Sequence, residues 1–138
     1  QLNREYLLNT NNYCFIAIAN PRLAPYGKAA NELLSILGLE SLVREKVVMG
    51  ENIAQAFQFA FSANADLGLV AYSQTESPNL RGQGSVWLVP SNLHRPIKQD
   101  MVILTDSAAA LEFSSFMKSD VVRAILLTSG YLLPEVAP

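Results

Sequence analysis

The chain has 138 residues, the length of a single domain. Half of them are hydrophobic and 16% are charged, so a substantial core can be buried, and a net charge of −2 with no basic run excludes an electrostatic nucleic-acid binder. The single cysteine, Cys14, excludes an internal disulfide framework and has no partner in a zinc-like spacing.

No apolar run approaches the roughly 18 residues of a membrane span. There is no initiator Met and no secretory signal peptide, so the chain is expected to start after processing or after a cut. Residues 1–12 carry Asn3, Asn9, Asn11 and Asn12 around the cluster Tyr6-Leu7-Leu8, and read as a helical turn or loop leading into a strand.

Ile16-Ala17-Ile18-Ala19 is short and wholly apolar, as a strand covered on both faces should be. Asn20-Pro21 breaks it, and Pro25 suits the first turn of a helix. The amides of Tyr26, Gly27 and Lys28 are therefore expected to leave a helix N-terminus without carbonyl partners. Free donors and the helix dipole act together there, which favours an anion.

Ala29, Ala30, Leu33, Leu34 and Leu37 continue the helix at the right spacing, and Gly38 follows as its C′ residue. Leu39 to Glu45 is a second, short helix, and Val47-Val48-Met49 the next strand. Gly50-Glu51-Asn52 then repeats the opening pattern, with Asn52 as N-cap of a helix starting at Ile53. Ile53, Ala56, Phe57, Ala60 and Phe61 predict one buried stripe, ended near Asn64. Leu67 to Ala71 is a third apolar strand with Tyr72-Ser73-Gln74 at its C-terminal end.

Strand, helix, strand, helix, strand argues for parallel strands with right-handed crossovers. In such sheets ligands bind beyond the carboxyl ends of the strands, where the loops Asn20–Tyr26, Gly50–Ile53 and Tyr72–Gln74 all fall. Glu76 to Gly84 is a loop, with Ser77-Pro78-Asn79 and Gly82-Gln83-Gly84. Val86 to Val89 and Met101 to Leu104 are further strand candidates, separated by a loop with Pro96. Two helices close the chain, one from Asp106 or Ser107 and one from Ser119 or Asp120, the latter ended by Gly130.

No residue set points to catalysis. His94 lies in a polar loop with no nucleophile beside it and reads as a surface residue. Cys14 reads as a small buried residue. Ser73 has no G-x-S-x-G elbow. Glu51 reads as a dipole-favoured or solvent-facing carboxylate, one that would repel a bound anion. Asp100, Asp106 and Asp120 read as strand-end and cap residues, and Trp87 as core. No carboxylate pair or His/Cys cluster suggests a metal-ion site.

Several of these runs together carry a family resemblance. They are Ile16-Ala17-Ile18-Ala19-Asn20-Pro21 with Ala24-Pro25-Tyr26-Gly27, Gly50-Glu51-Asn52-Ile53 with Ala56, and Leu67 to Ala71 before Ser73-Gln74. Trp87-Leu88-Val89-Pro90, Pro96-Ile97-Lys98-Gln99-Asp100 and Ser129-Gly130-Tyr131 complete the pattern. In this order and spacing they resemble the periplasmic molybdate-binding proteins that feed an ABC importer, from about Ile16 to Tyr131.

The resemblance implies an α/β fold: a type II-like periplasmic-binding-protein lobe, mostly parallel sheet flanked by helices, with a C-terminal helical pair. It implies a periplasmic, non-enzymatic role with no cofactor, and an ABC transporter permease as partner. The ligand would be molybdate or tungstate, held between hydroxyls and amides of a first lobe and backbone amides of a second. The second-lobe contacts map onto Tyr26 and Ile53, with Asn52 and Gly27 as weaker candidates. Some members place a tyrosine at the position of Ala71, so this chain departs there, and Tyr72 is a poor substitute.

A dianion with only acceptors to offer suits a dry pocket of donors. Hydrogen phosphate would bring a donor that finds no acceptor there. Sulfate differs from molybdate in size alone, which the sequence does not report.

The resemblance begins at the hinge, so the chain is expected to be a fragment. Residues 1–100 would be the second lobe, and residues 101–138 a return strand and helices that pack on the first lobe. Phe113, Phe116, Met117, Ile125 and Leu126 would then lack their usual cover, unless they repack or a second copy supplies it. Three alternatives stand beside this reading. One is another oxyanion, sulfate or phosphate, on the same fold. The second is the effector-binding domain of a transcription regulator, although this chain holds no helix-turn-helix. The third is an orphan lobe that binds nothing by itself.

Overall fold

The computed structural model describes residues 2–77, 80 and 83–133. Three parallel strands, β1 (Ile16–Ala19), β2 (Val47–Gly50) and β3 (Leu67–Gly68), form a sheet in the order β2-β1-β3. Ile16 pairs with Val47 on one side and Leu67 on the other, and Ala17 with Val48 and Gly68. All four residues of β1 are buried, as a central strand covered on both faces requires.

The alternation along β1 decides what packs on each face. Ile16 meets the Leu33 and Leu34 side of α2 (Pro25–Ile36), in a core completed by Leu7, Tyr13, Leu39, Val43 and Leu93. Leu7 comes from α1 (Arg4–Leu8), and Val43 from α3 (Glu40–Val43). The opposite face is lined by Ala and Gly, and α4 (Ile53–Phe61) lies on it. A Cβ on Gly50 would come 2.7 Å from the Ala56 nitrogen, and one on Gly68 2.8 Å from the Ala60 methyl. Small residues let this helix approach the strands closely. The first crossover runs from β1 to β2 and the second back past β1 to β3, in opposite directions across the sheet, so right-handed connections place α2 and α4 on opposite faces.

The Ala/Gly face is only three short strands wide, and α4 is less buried than its apolar stripe predicts. Ala56 is fully buried and Ile53, Phe57 and Ala60 half-buried, but Phe61 is 54% exposed. Its ring instead stacks on Phe57, 5.8 Å between centroids. The helix also stops earlier than Asn64: Ser62 is its C-cap, and the chain reverses at Ala63 with φ +57°.

The other departures concern strands. The third strand ends at Gly68 rather than Ala71, although the Leu69 amide still donates to the Ala17 carbonyl at 2.9 Å. Tyr72-Ser73-Gln74 belongs to a one-turn helix, α5 (Tyr72–Thr75). Neither Val86–Val89 nor Met101–Leu104 joins the sheet. An apolar run becomes a strand only where a neighbour offers its ladder groups, and no described neighbour does so here. Trp87 and Val89 lie half-buried against the α2 core, whereas Val102 and Leu104 are 75% and 88% exposed. Pro78, Asn79 and Gly82 of the expected loop lie outside the described residues.

The C-terminal helices form where the caps place them. Ser107 caps α6 (Ala108–Phe116) and Ser119 caps α7 (Asp120–Thr128), each by accepting a backbone N–H. Gly38 and Gly130 end α2 and α7 with φ near +70° to +80°, the left-handed conformation that glycine adopts without strain. Val122 is buried, but Leu111, Phe113, Phe116, Val121, Ile125 and Leu127 all stand half or more exposed. Cys14 is exposed rather than buried, because its backbone rather than its side chain is the anchored part. Cys14 and Phe15 donate their amides to the Asp66 carboxylate at 2.8 and 2.9 Å, which ties the entry of β1 to the entry of β3.

Candidate functional site

Parallel strands deliver all three C-terminal ends to one edge. There the Asn20 amide donates to the Gly50 carbonyl at 2.7 Å, joining the loops that follow β1 and β2. Ala19, Ala24 and Ala56 form a small buried cluster, and Ile53 packs on it. The starts of α2 and α4 therefore meet over the end of the central strand. Gly27 makes this possible, since a Cβ there would lie 2.2 Å from the Ala19 carbonyl oxygen.

At the start of α2 fewer N–H groups are free than the sequence predicts. Gly27 and Lys28 both donate to the Ala24 carbonyl, at 3.0 and 3.3 Å, and are not free. A tight first turn consumes them, as i→i+3 bonding at a helix end does. Pro25 has no N–H, so the Tyr26 amide is the donor at this start with no acceptor among the described residues.

At α4 the cap works as expected and goes further. The Asn52 side chain accepts from the Gln55 amide at 2.9 Å. Gln55 reaches back to accept from the Glu51 amide at 2.7 Å. These reciprocal bonds resemble a capping box, and the spacing Asn52-x-x-Gln55 is its sequence signature. They leave the Ile53 and Ala54 amides without an acceptor among the described residues. Glu51 is exposed, as expected.

The third loop contributes differently. Ala71 is buried, but its amide donates to Gln74 Oε1 at 3.1 Å and is occupied. Gln74 Nε2 donates in turn to the Ile53 carbonyl at 3.3 Å. Tyr72 is 38% exposed, and its ring lies against Gly130, where a Cβ would be 2.6 Å from it. The structure thus brings Tyr26, Gly27, Asn52 and Ile53 to one edge, joins Ala71 to them through Gln74, and turns Tyr72 toward the turn after α7.

The sequence did not reveal the roles of three glutamines. Gln55 was legible as a capping-box partner; Gln74 and Gln99 act across long separations that no local pattern reports. Gln99 Nε2 donates to the Tyr26 hydroxyl at 3.3 Å. Burial pushes that phenol up from its ordinary value, the nearby Tyr131 adds to the rise, and the Gln99 bond opposes it. Tyr26 stays neutral at physiological pH.

The side chains that hold these loops are neutral amides. Besides Asn52, Gln55 and Gln74, Asn20 Oδ1 accepts from the Arg22 amide at 2.9 Å. Such a surface can offer backbone donors to a group that carries acceptors alone. Among the described residues no group of three His, Cys, Asp or Glu could hold a metal ion. His94 is half-buried in its loop with Nδ1 2.9 Å from the Arg95 carbonyl, beside the Glu32–Arg95 ion pair and away from the strand ends. Open depressions of ≈ 340 and ≈ 380 Å³ flank α2, and neither is lined by Tyr26 or Ile53.

Residues 5–132 match the model of the bacterial extracellular solute-binding proteins. The molybdate-binding protein ModA of Azotobacter vinelandii is 41% identical over 128 residues, covering 91% of this chain and 51% of its own. The molybdate-binding protein ModA of Rhodobacter capsulatus is 42% identical over 120 residues, covering 85% of this chain and 46% of its own. The solved structure of the Azotobacter vinelandii periplasmic molybdate-binding protein superposes with a TM-score of 0.89 at 37% identity, over 97% of this chain and 60% of that one. The chain spans about half the length of the curated relatives it matches. With a matching family model over nearly its whole length and a fold in agreement, the chain belongs to the bacterial extracellular solute-binding proteins.

Proposed function

We propose that this chain carries one half of the binding site of a periplasmic protein that captures molybdate or tungstate for an ABC importer. One observation carries the reading: the amides of Tyr26 and of Ile53 and Ala54, without an acceptor among the described residues, sit at the ends of adjacent parallel strands. Relatives named for molybdate binding, 41–42% identical, support the choice of anion.

Tyr26 and Ile53 donate to the anion through their backbone, Asn52 orients the second of these helix starts, and Gly27 lets the first approach β1. Donors that are dipoles rather than cations suit a dianion that must be released again to a transporter permease. An acceptor-only ligand leaves no buried donor opposite these amides, whereas hydrogen phosphate would set an O–H against an N–H. The role is capture and delivery, with no turnover and no cofactor.

Residues 1–100 form the lobe that presents these amides, and residues 101–138 the return segment. We infer that the apolar face from Val102 to Leu127 is covered by the first lobe of the longer protein or by a second copy. The exposure of Val102, Leu104, Phe113 and Phe116 supports that inference.

The test is isothermal titration of the 138-residue chain with molybdate, with sulfate as competitor and the protein sized in parallel. Heat of binding that sulfate does not abolish, in a sample that sizes as two copies completing one site, is the expected result. Equal displacement by sulfate would reassign the anion. A folded sample of paired copies that takes up neither anion would overturn the reading for this chain.

A further inference from the structure

We propose that Gln74 is a positioning residue of the anion site, a role that rests on the oxyanion reading above. Its single amide group spans two loops: Oε1 accepts from the Ala71 amide at 3.1 Å and Nε2 donates to the Ile53 carbonyl at 3.3 Å. The first bond closes the turn after β3, and the second fastens the first residue of α4, 21 positions away in sequence.

Only an amide side chain of this length meets both demands. A carboxylate can accept from Ala71, but it would face the Ile53 carbonyl with a second acceptor and bring a negative charge beside the anion. A lysine could donate to Ile53 but could not accept from Ala71. Gln74 therefore does two things for Ile53. It fixes the Ile53–Ala54 peptide, whose N–H is the Ala54 donor next to the Ile53 amide, and it removes the Ala71 amide from the donors available to a ligand. The helix that carries it is one turn long and is held on its other side by the contact of the Tyr72 ring with Gly130.

The experiment uses the ¹⁵N-labelled 138-residue chain and its Gln74→Met and Gln74→Glu variants, with two readouts. The first needs no ligand: amide exchange at Ala71 and the resonances of Ile53 and Ala54. In Gln74→Met the Ala71 amide is expected to exchange about tenfold faster, the loss of one hydrogen bond. The Ile53 and Ala54 resonances are expected to move while the melting temperature changes little.

The second readout is affinity for molybdate and for perrhenate, a tetrahedral monoanion. Gln74→Met is expected to weaken both by about tenfold. Gln74→Glu is expected to weaken molybdate more than perrhenate, because Coulomb repulsion scales with ligand charge. A purely structural role would not shift that ratio. Unchanged Ala71 exchange in Gln74→Met, or molybdate affinity within twofold of the parent, would overturn the proposal. Should Gln74→Met not fold, the Gln74→Glu ratio decides. If the parent takes up no oxyanion, the functional reading falls, and the exchange readout still shows whether Gln74 holds the two loops.

Discussion

Gly27→Ala separates local propensity from tertiary packing, because the two assign it opposite signs. Gly27 is the third residue of α2, and helix propensity alone favours alanine there by about 1 kcal/mol. The packing opposes this. The new Cβ would lie 2.2 Å from the Ala19 oxygen and 2.7 Å from both the Asn20 carbonyl carbon and the Pro21 nitrogen. All three are backbone atoms of the β1–α2 turn, so no side chain can rotate aside. Relief to 3.0 Å, the limit that real Cβ contacts respect, means sliding the first turn of α2 by about 0.8 Å. Overpacking costs about 1–3 kcal/mol, and a backbone clash belongs at the upper end, which leaves about 2 kcal/mol net of propensity. For a domain of this size the melting temperature falls by about 6–8 °C.

Urea and thermal unfolding, followed by circular dichroism and Trp87 fluorescence, measures this directly. Gly38→Ala is the contrast. Its φ is +68° with nothing within 4 Å of a new Cβ, so strain alone acts, at about 1 kcal/mol. The same slide displaces the Tyr26 amide, so under the proposed oxyanion role Gly27→Ala is also expected to lose anion affinity and Gly38→Ala to keep it. A Gly27→Ala chain as stable as the parent, or more so, would refute the reasoning about the β1–α2 junction.

Two further predictions follow from named contacts. Asn52→Ala removes the acceptor of the Gln55 amide and should cost about 1 kcal/mol of stability, read as a lower urea midpoint at unchanged slope; an unchanged midpoint would count against the cap. The amides of Phe15 and Cys14, bonded to the Asp66 carboxylate, hold its pKa below the ordinary 3.8. A depressed folded pKa means that the unfolded chain binds the proton first. Its stabilisation is therefore complete above about pH 4 and is lost as pH falls toward the folded value. Asp66→Asn should thus be less stable than the parent at pH 6, with a gap that narrows as pH falls below the ordinary 3.8; a gap that widens on acidification would contradict the sign.

Much of the fold was legible because it follows local rules. The apolar run at Ile16, Pro25 at a helix start, the caps at Asn52, Ser107 and Ser119, and Gly38 and Gly130 after helices act within a few residues of themselves. The strand–helix alternation then dictated a parallel sheet and placed three loops at one edge, so Tyr26 and Ile53 could be named without coordinates. The candidate site was legible to the same depth: the helix starts could be found, and the occupied donors could not. Whether Gly27 and Lys28 are free depends on how tightly the first turn winds onto the Ala24 carbonyl, which residue types do not encode.

The sequence by itself determined the parallel α/β order, both helix starts and the C-terminal helical pair, since capping and periodicity are short-range. Only the tertiary structure decided which apolar runs become strands. Val86–Val89 and Met101–Leu104 have strand composition, but ladder bonds need a partner edge, and the fold lays neither run along β2 or β3, the two edges of the sheet. Only the structure showed that Phe61 stays exposed, because a narrow Ala/Gly face cannot cover the full stripe of α4. It also decided the roles of Gln74 and Gln99, whose partners lie 21 and 73 residues away. A side chain that acts across such separations has its partner chosen by the fold, and no pattern around it in the sequence can name that partner.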